Sequence, residues 1–143
     1  MDKHWKKGTI SMATAQLLYE TDIPLIGKRV YDTNDGSAKN RNFNSWASTG
    51  RISTHKGRYV YAVPLANLQN WMRDVLDFHV VITPEFYRDG INYNWQVLIY
   101  NVTDKTCYDN RSTGMYGDNG EYPTHEEALD AGLKRALEIL LGK

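Results

Sequence analysis

The dipeptide Asp89-Gly90, set between two runs that alternate apolar and polar residues, constrains this chain more than any other feature. Asp and Gly tolerate the positive φ that both central positions of a type I′ turn require, so the pair predicts a hairpin. Placing Arg88 opposite Ile91 and counting outward sets Phe86 against Tyr93, Pro84 against Trp95, Ile82 against Val97 and Val80 against Ile99 on one face. The other face takes Tyr87 with Asn92, Glu85 with Asn94, Thr83 with Gln96, Val81 with Leu98 and His79 with Tyr100. The first face is apolar and the second is polar toward the turn, and a slip of one residue would scramble that partition. Pro84 has no N–H for a ladder, which puts its strand at a sheet edge or at a bulge.

An apolar sheet face needs a cover, and three segments have the period to supply it. Ser11 is an N-cap for a helix over 12–20, which stops before Ile23-Pro24 because proline disfavours helix in the residue ahead of it. After Pro64, Leu65, Leu68, Trp71, Met72, Val75 and Leu76 recur at helical spacing, with Asn67, Asn70, Arg73, Asp74 and Asp77 on the other side. Trp71 and Met72 on that stripe read as core packing rather than as a cofactor pocket. Thr124 precedes Glu127 by three, a capping box, and Leu129, Leu133, Ala136, Leu137 and Leu140 form the stripe of a last helix. Short strands are expected at 28–32, ending in the turn Thr33-Asn34-Asp35-Gly36, at 57–62, and near Thr106-Cys107-Tyr108. The order predicts an α+β fold, a small antiparallel sheet with the C-terminal and central helices packed on one face. A chain of 143 residues suits a single domain over 1–143, with a core that needs neither disulfide nor metal.

The formal net charge is zero, so no global field draws in nucleic acid or an anionic membrane, and a basic site has to be local. Charge is nevertheless uneven. Over 37–72 the ionised residues are Lys39, Arg41, Arg51, Lys56 and Arg58, with no Asp or Glu, whereas 104–130 is predominantly acidic. The segment at about 37–56 reads as an irregular basic loop, rich in Ser and Asn, with Phe43 and Trp46 as its large aromatics. A loop that long inside a domain is usually functional or disordered. Guanidinium forks, amide and hydroxyl donors and an aromatic face are what a phosphate-bearing ligand needs. The candidate ligand-binding residues are therefore Lys39, Arg41, Trp46, Arg51, Lys56 and Arg58, joined by Glu85, Tyr87, Asn92 and Asn94 on the polar hairpin face.

No catalytic residue, metal or cofactor is expected. His4, His55, His79 and His125 are scattered without paired spacing. Cys107, the single cysteine, reads as a small buried hydrophobe in a strand. Glu85 and Asp89 are explained by the hairpin's solvent face and its turn, and Asp118-Asn119-Gly120-Glu121 lacks the alternating ligands of a calcium loop and reads as a surface turn. A pocket bringing Glu85 or His79 against Cys107 would reopen the case for an enzyme. No stretch has the length of a membrane span and no apolar run follows the first residues, so the expected location is cytoplasmic.

The run Tyr61-Ala62-Val63-Pro64 through Leu68-Gln69-Asn70-Trp71-Met72-Arg73, then His79-Val80-Val81-Ile82, the segment from Tyr122-Pro123-Thr124 to Gly132-Leu133, and the early Ile10-Ser11 to Leu17-Leu18 resemble a group of small uncharacterised proteins of Bacteroidetes phages and prophages. The signature is Pro, Leu-Gln-x-Trp-(Leu or Met)-Arg, then Glu-Glu-Ala-Leu-x-x-Gly-Leu, and this chain departs from it in a longer basic insertion before Gly57. The resemblance implies a phage accessory context in the host cell and carries over no catalytic residue. The expected function is that of a non-catalytic phage or mobile-element accessory protein, with an anti-defence role. It would bind a host protein or sequester a small phosphate-bearing ligand such as a nucleotide. The alternative is a nucleic-acid-binding module, with Lys39, Arg41, Arg51, Lys56 and Arg58 on phosphates and Trp46 or Phe43 stacking on bases.

Overall fold

The structure, a computed structural model, describes residues 8–40, 58–86, 88–90, 93–111 and 122–143, and of positions 40, 93 and 109–111 the backbone only. Helix α1 (Met12–Glu20) starts where expected: Ser11 Oγ accepts the Thr14 N–H, and Thr21 closes the helix by returning its N–H to the Leu18 carbonyl. Strands β1 (Arg29–Asp32), β2 (Ala38–Asn40) and β3 (Tyr59–Tyr61) form one antiparallel sheet with β1 in the middle. After helix α2 (Leu65–Leu76), strands β4 (Phe78–Phe86), β5 (Tyr93–Asn101) and β6 (Thr106–Arg111) form a second, with β5 in the middle. Helix α3 (His125–Leu140) follows. The class is α+β, and the strands divide between two sheets.

The hairpin has the register counted from the sequence, running from Phe78 opposite Asn101 to Phe86 opposite Tyr93. Its turn differs. Gly90 takes a positive φ of 70°, but the non-glycine residues with positive φ among those described are Asp77 and Lys105, so Asp89 does not complete a type I′ turn. Register is held by the apolar partition of the strands instead. Strand β2 lies where an irregular loop was expected, because the preceding turn folds the chain back on β1. Asp35 Oδ1 accepts the Ser37 N–H at 2.8 Å, and Gly36 takes the left-handed conformation that closes the reversal.

One apolar core runs through the molecule. Val30 and Tyr31 of the first sheet, Val80, Val97 and Ile99 of the second, Leu68 and Met72 of α2, and Leu133 and Leu137 of α3 are all buried in it. Trp71 packs against it partly buried, whereas Val75 and Leu76, expected on the same stripe, are exposed. The last turn of α2 lies past the covered area, where left-handed Asp77 redirects the chain into β4. Leu140 likewise ends the α3 stripe exposed. Helix α3 sits unusually close to β4 and β5: a Cβ at Gly132 would lie 2.8 Å from Cγ1 of both Val80 and Val97. Gln69 Nε2 donates to the Val80 carbonyl at 2.8 Å, fixing α2 to β4, the edge strand that Pro84 requires.

The segment ahead of α1 is tied to the first sheet. Ile10 N–H donates to the Val63 carbonyl at 2.9 Å, and the buried Tyr31 hydroxyl donates to the Ile10 carbonyl at 2.6 Å. Across the core, Ser11 N–H donates to Asp130 Oδ1 of α3 at 2.8 Å, so a carboxylate on the last helix caps the first. Burial pushes the Asp130 carboxyl above its ordinary value, against the hydrogen bonds from Ser11 and Thr14. No helix among the described residues is long and apolar enough to cross a membrane.

Candidate functional site

Two of the predicted ligand-binding cations, Lys39 and Arg58, meet at one carboxylate. Side chains of β1 alternate, and those of Asp32 and of Lys39, which stands opposite Val30, lie on the same face. Asp32 is 1% exposed. Its Oδ2 accepts from Lys39 Nζ at 3.0 Å and from Arg58 Nη2 at 3.2 Å, and its Oδ1 accepts from the Asn34 N–H at 3.0 Å. The Arg58 hydrogen bond, then those of Asn34 and Lys39, hold the Asp32 carboxyl down to about 2, against the opposing pull of burial. The same partner raises Lys39 and Arg58. Arg58 also covers the Tyr59 ring, its guanidinium carbon 5.0 Å from the centroid. Both cations are half-exposed, and each has a carboxylate already engaged. Arg41, Trp46, Arg51 and Lys56, with Phe43, lie outside the described residues.

On the hairpin, Glu85 and Asn94 stand opposite each other as counted. The face they share is not the open surface expected of it: Asn94 is 6% exposed, and Thr83 Oγ1, one pair further from the turn, is shut off from solvent without a hydrogen-bond partner. Tyr87 and Asn92 lie outside the described residues, as does the expected turn at 118–121.

Further along the same face the three strands bring His79, Tyr100 and Cys107 into one row, His79 opposite Tyr100 and Tyr100 opposite Cys107. Asp77, left-handed at the end of α2, accepts from the Thr103 N–H at 2.7 Å through Oδ2, and its Oδ1 lies 2.7 Å from His79 Nε2. The Thr103 hydroxyl, its N–H and His79 lower the Asp77 carboxyl. An Asp orienting a His is half of a nucleophile-activating set. The other half is out of reach. The Tyr100 ring stacks on His79 at 5.1 Å, and Cys107 lies beyond it, two strand spacings or about 10 Å away. Cys107 is exposed, which corrects its reading as a buried hydrophobe: β6 is an outer strand, and this row lies on the face opposite that of buried Val80 and Ile99. No group of three or more His, Cys, Asp or Glu able to hold a metal occurs among the described residues.

The cation that sequence reasoning passed over is Arg29. It was read only as part of a strand, yet it lies on the face of β1 away from Asp32 and forms no ion pair with a described carboxylate. Its Nε is excluded from solvent with no partner, and its Nη2 makes a single long bond, 3.4 Å, to the Ala38 carbonyl. A sequence signal did exist, the dipeptide Lys28-Arg29 directly after the buried Gly27. The chain matches no protein family, no curated protein and no solved structure.

Proposed function

We propose that this is a non-catalytic accessory protein of a phage or mobile element, acting in the host cytoplasm by sequestering a small phosphate-bearing ligand of the nucleotide class. The observation that carries the reading is the convergence of Lys39 and Arg58 on buried Asp32. These residues flank the acid-free segment 40–57, whose further cations are Arg41, Arg51 and Lys56. A solvated linker needs neither of its ends fixed. Here a single carboxylate ties Lys39 and Arg58, one at each end of the segment, to a sheet, and the segment between them carries Arg41, Arg51 and Lys56 with no acidic residue in its own sequence. A basic segment presented from a rigid base binds an anion with less ordering cost than a free one.

The test is a thermal-shift and native mass-spectrometry screen of cyclic and linear nucleotides at two salt concentrations. The expected result is a retained nucleotide and a raised melting temperature, since a ligand at a hundred times its Kd adds about 2.7 kcal/mol to folded-state stability. Replacing Arg41, Arg51 and Lys56 together by Gln should abolish the shift while leaving the unliganded melting temperature in place. Retention on single-stranded DNA that falls steeply with salt, in the absence of any nucleotide effect, would replace this reading by the nucleic-acid one.

A further inference from the structure

The cations of the first sheet divide into two kinds. Lys39 and Arg58 share Asp32, on one face. Arg29 is on the other face of the central strand, half-buried, and Asp32 cannot serve it because side chains three apart on a strand point to opposite sides. A buried polar atom without a partner calls for an explanation of its own. Arg29 has an idle Nε, one weak bond to a carbonyl and no counter-charge among the described residues. Lys28, exposed at the bend just before β1, adds a second charge with no ion-pair partner among the described residues.

The backbone beneath this pair is fixed. A Cβ on Gly27 would lie 2.7 Å from the Ala62 carbonyl oxygen, so only glycine lets the chain pass so close, and the Arg29 carbonyl accepts the Ala62 N–H at 2.9 Å. Tyr31, two residues on and on the same face as Arg29, is pinned through its hydroxyl to Ile10. Arg29 therefore extends from a rigid support, the condition under which a guanidinium loses least entropy on taking a ligand.

We infer that Arg29 anchors an anion site that takes a phosphate or pyrophosphate group. A phosphate supplies the missing counter-charge and oxygens for the part of the half-buried guanidinium that solvent reaches. The inference rests on the phosphate-ligand reading above and adds to it the anchoring residue and the place on the sheet.

Titration of the 15N-labelled protein with sodium pyrophosphate, following the arginine Nε–H resonances, tests it directly. The Arg29 resonance, assigned from its loss in Arg29→Gln, should shift first and saturate. By calorimetry, Arg29→Gln should weaken pyrophosphate binding by about tenfold or more, the range of one charge-assisted pair. Arg29→Lys should restore part of the loss, and Arg73→Gln on α2 should leave binding as in the wild type. Pyrophosphate held at Arg29 with no nucleotide bound would keep this inference and remove the nucleotide reading. Nucleotide binding indifferent to Arg29→Gln would do the reverse. A saturating response to sodium acetate equal to that for pyrophosphate would overturn the phosphate assignment, and an unmoved Arg29 resonance would overturn the site, the assignment coming from Arg29→Lys where Arg29→Gln does not fold.

Discussion

In the middle of the second sheet one face is buried and the other only partly covered; in the first, the central strand is buried on both faces and a charge lies inside. Val80, Val97 and Ile99 point at α3 while Val81, Leu98 and Tyr100 on the far side are only partly covered. By contrast, Val30, Tyr31 and Asp32 are consecutive in β1 and none is more than 1% exposed. A carboxylate in such a strand has to be paired, and its partners come from β2 and the residue before β3. Cations near a two-sided strand are thus first of all candidates for its internal pairing, and those left over, such as Arg29, carry more information about ligands than those counted along the chain.

The comparison can be broken at several strengths. The largest effect is expected from Ile99→Ala at the centre of the second sheet, a loss of about 2–5 kcal/mol in urea unfolding. Because both sheets share one core, tryptophan fluorescence, to which all four tryptophans contribute, and far-ultraviolet dichroism should lose signal together in that variant; separated transitions would mean that the sheets fold apart. Next comes the first sheet, where Tyr31→Phe strands the buried Ile10 carbonyl at a cost of about 1–3 kcal/mol. A smaller loss would show water reaching that carbonyl. Gly132→Ala sets two effects against each other, a helix-propensity gain of about 1 kcal/mol and an overpacking cost of about 1–3 kcal/mol against two stiff valines. A net loss of about 1 kcal/mol is expected, and a net gain would mean that α3 can lift off the sheet.

The smallest effects are those of pH. The Asp32 carboxyl is lowered in the folded protein to about 2, so its contribution is present above its ordinary value and is lost as pH falls through about 2. Asp32→Asn should remove that part of the acid limb of a stability profile, and adding salt should narrow its difference from the wild type. Asp130 has the opposite sign. Its raised carboxyl makes the folded state bind the proton more tightly, so its cost is relieved as pH falls, and Asp130→Asn should abolish that counter-slope.

The second sheet was largely legible because its pairing is local: nine residues of β4 find nine of β5 across one turn, and alternation alone sets their register. The capping residues Ser11 and Thr124 were legible for the same reason. The first sheet was not. Val30 pairs with Tyr61 across a long stretch of chain, and nothing in the neighbourhood of Asp32 in sequence says that Arg58 will arrive beside it. The basic run therefore read as one surface, although two of its cations are engaged with a buried carboxylate. Cys107 misled for a related reason, since a strand's pattern does not reveal whether it will be an inner or an outer one.

The hydrogen bond from Ser11 to Asp130 joins residues 119 apart in sequence. At a synthesis rate of about 10 residues per second, α1 leaves the ribosome on the order of ten seconds before the helix that caps it. Through that interval its apolar face has no α3 to bury against. Closure of the core accordingly waits for the last helix, and a contact of such long sequence separation slows folding.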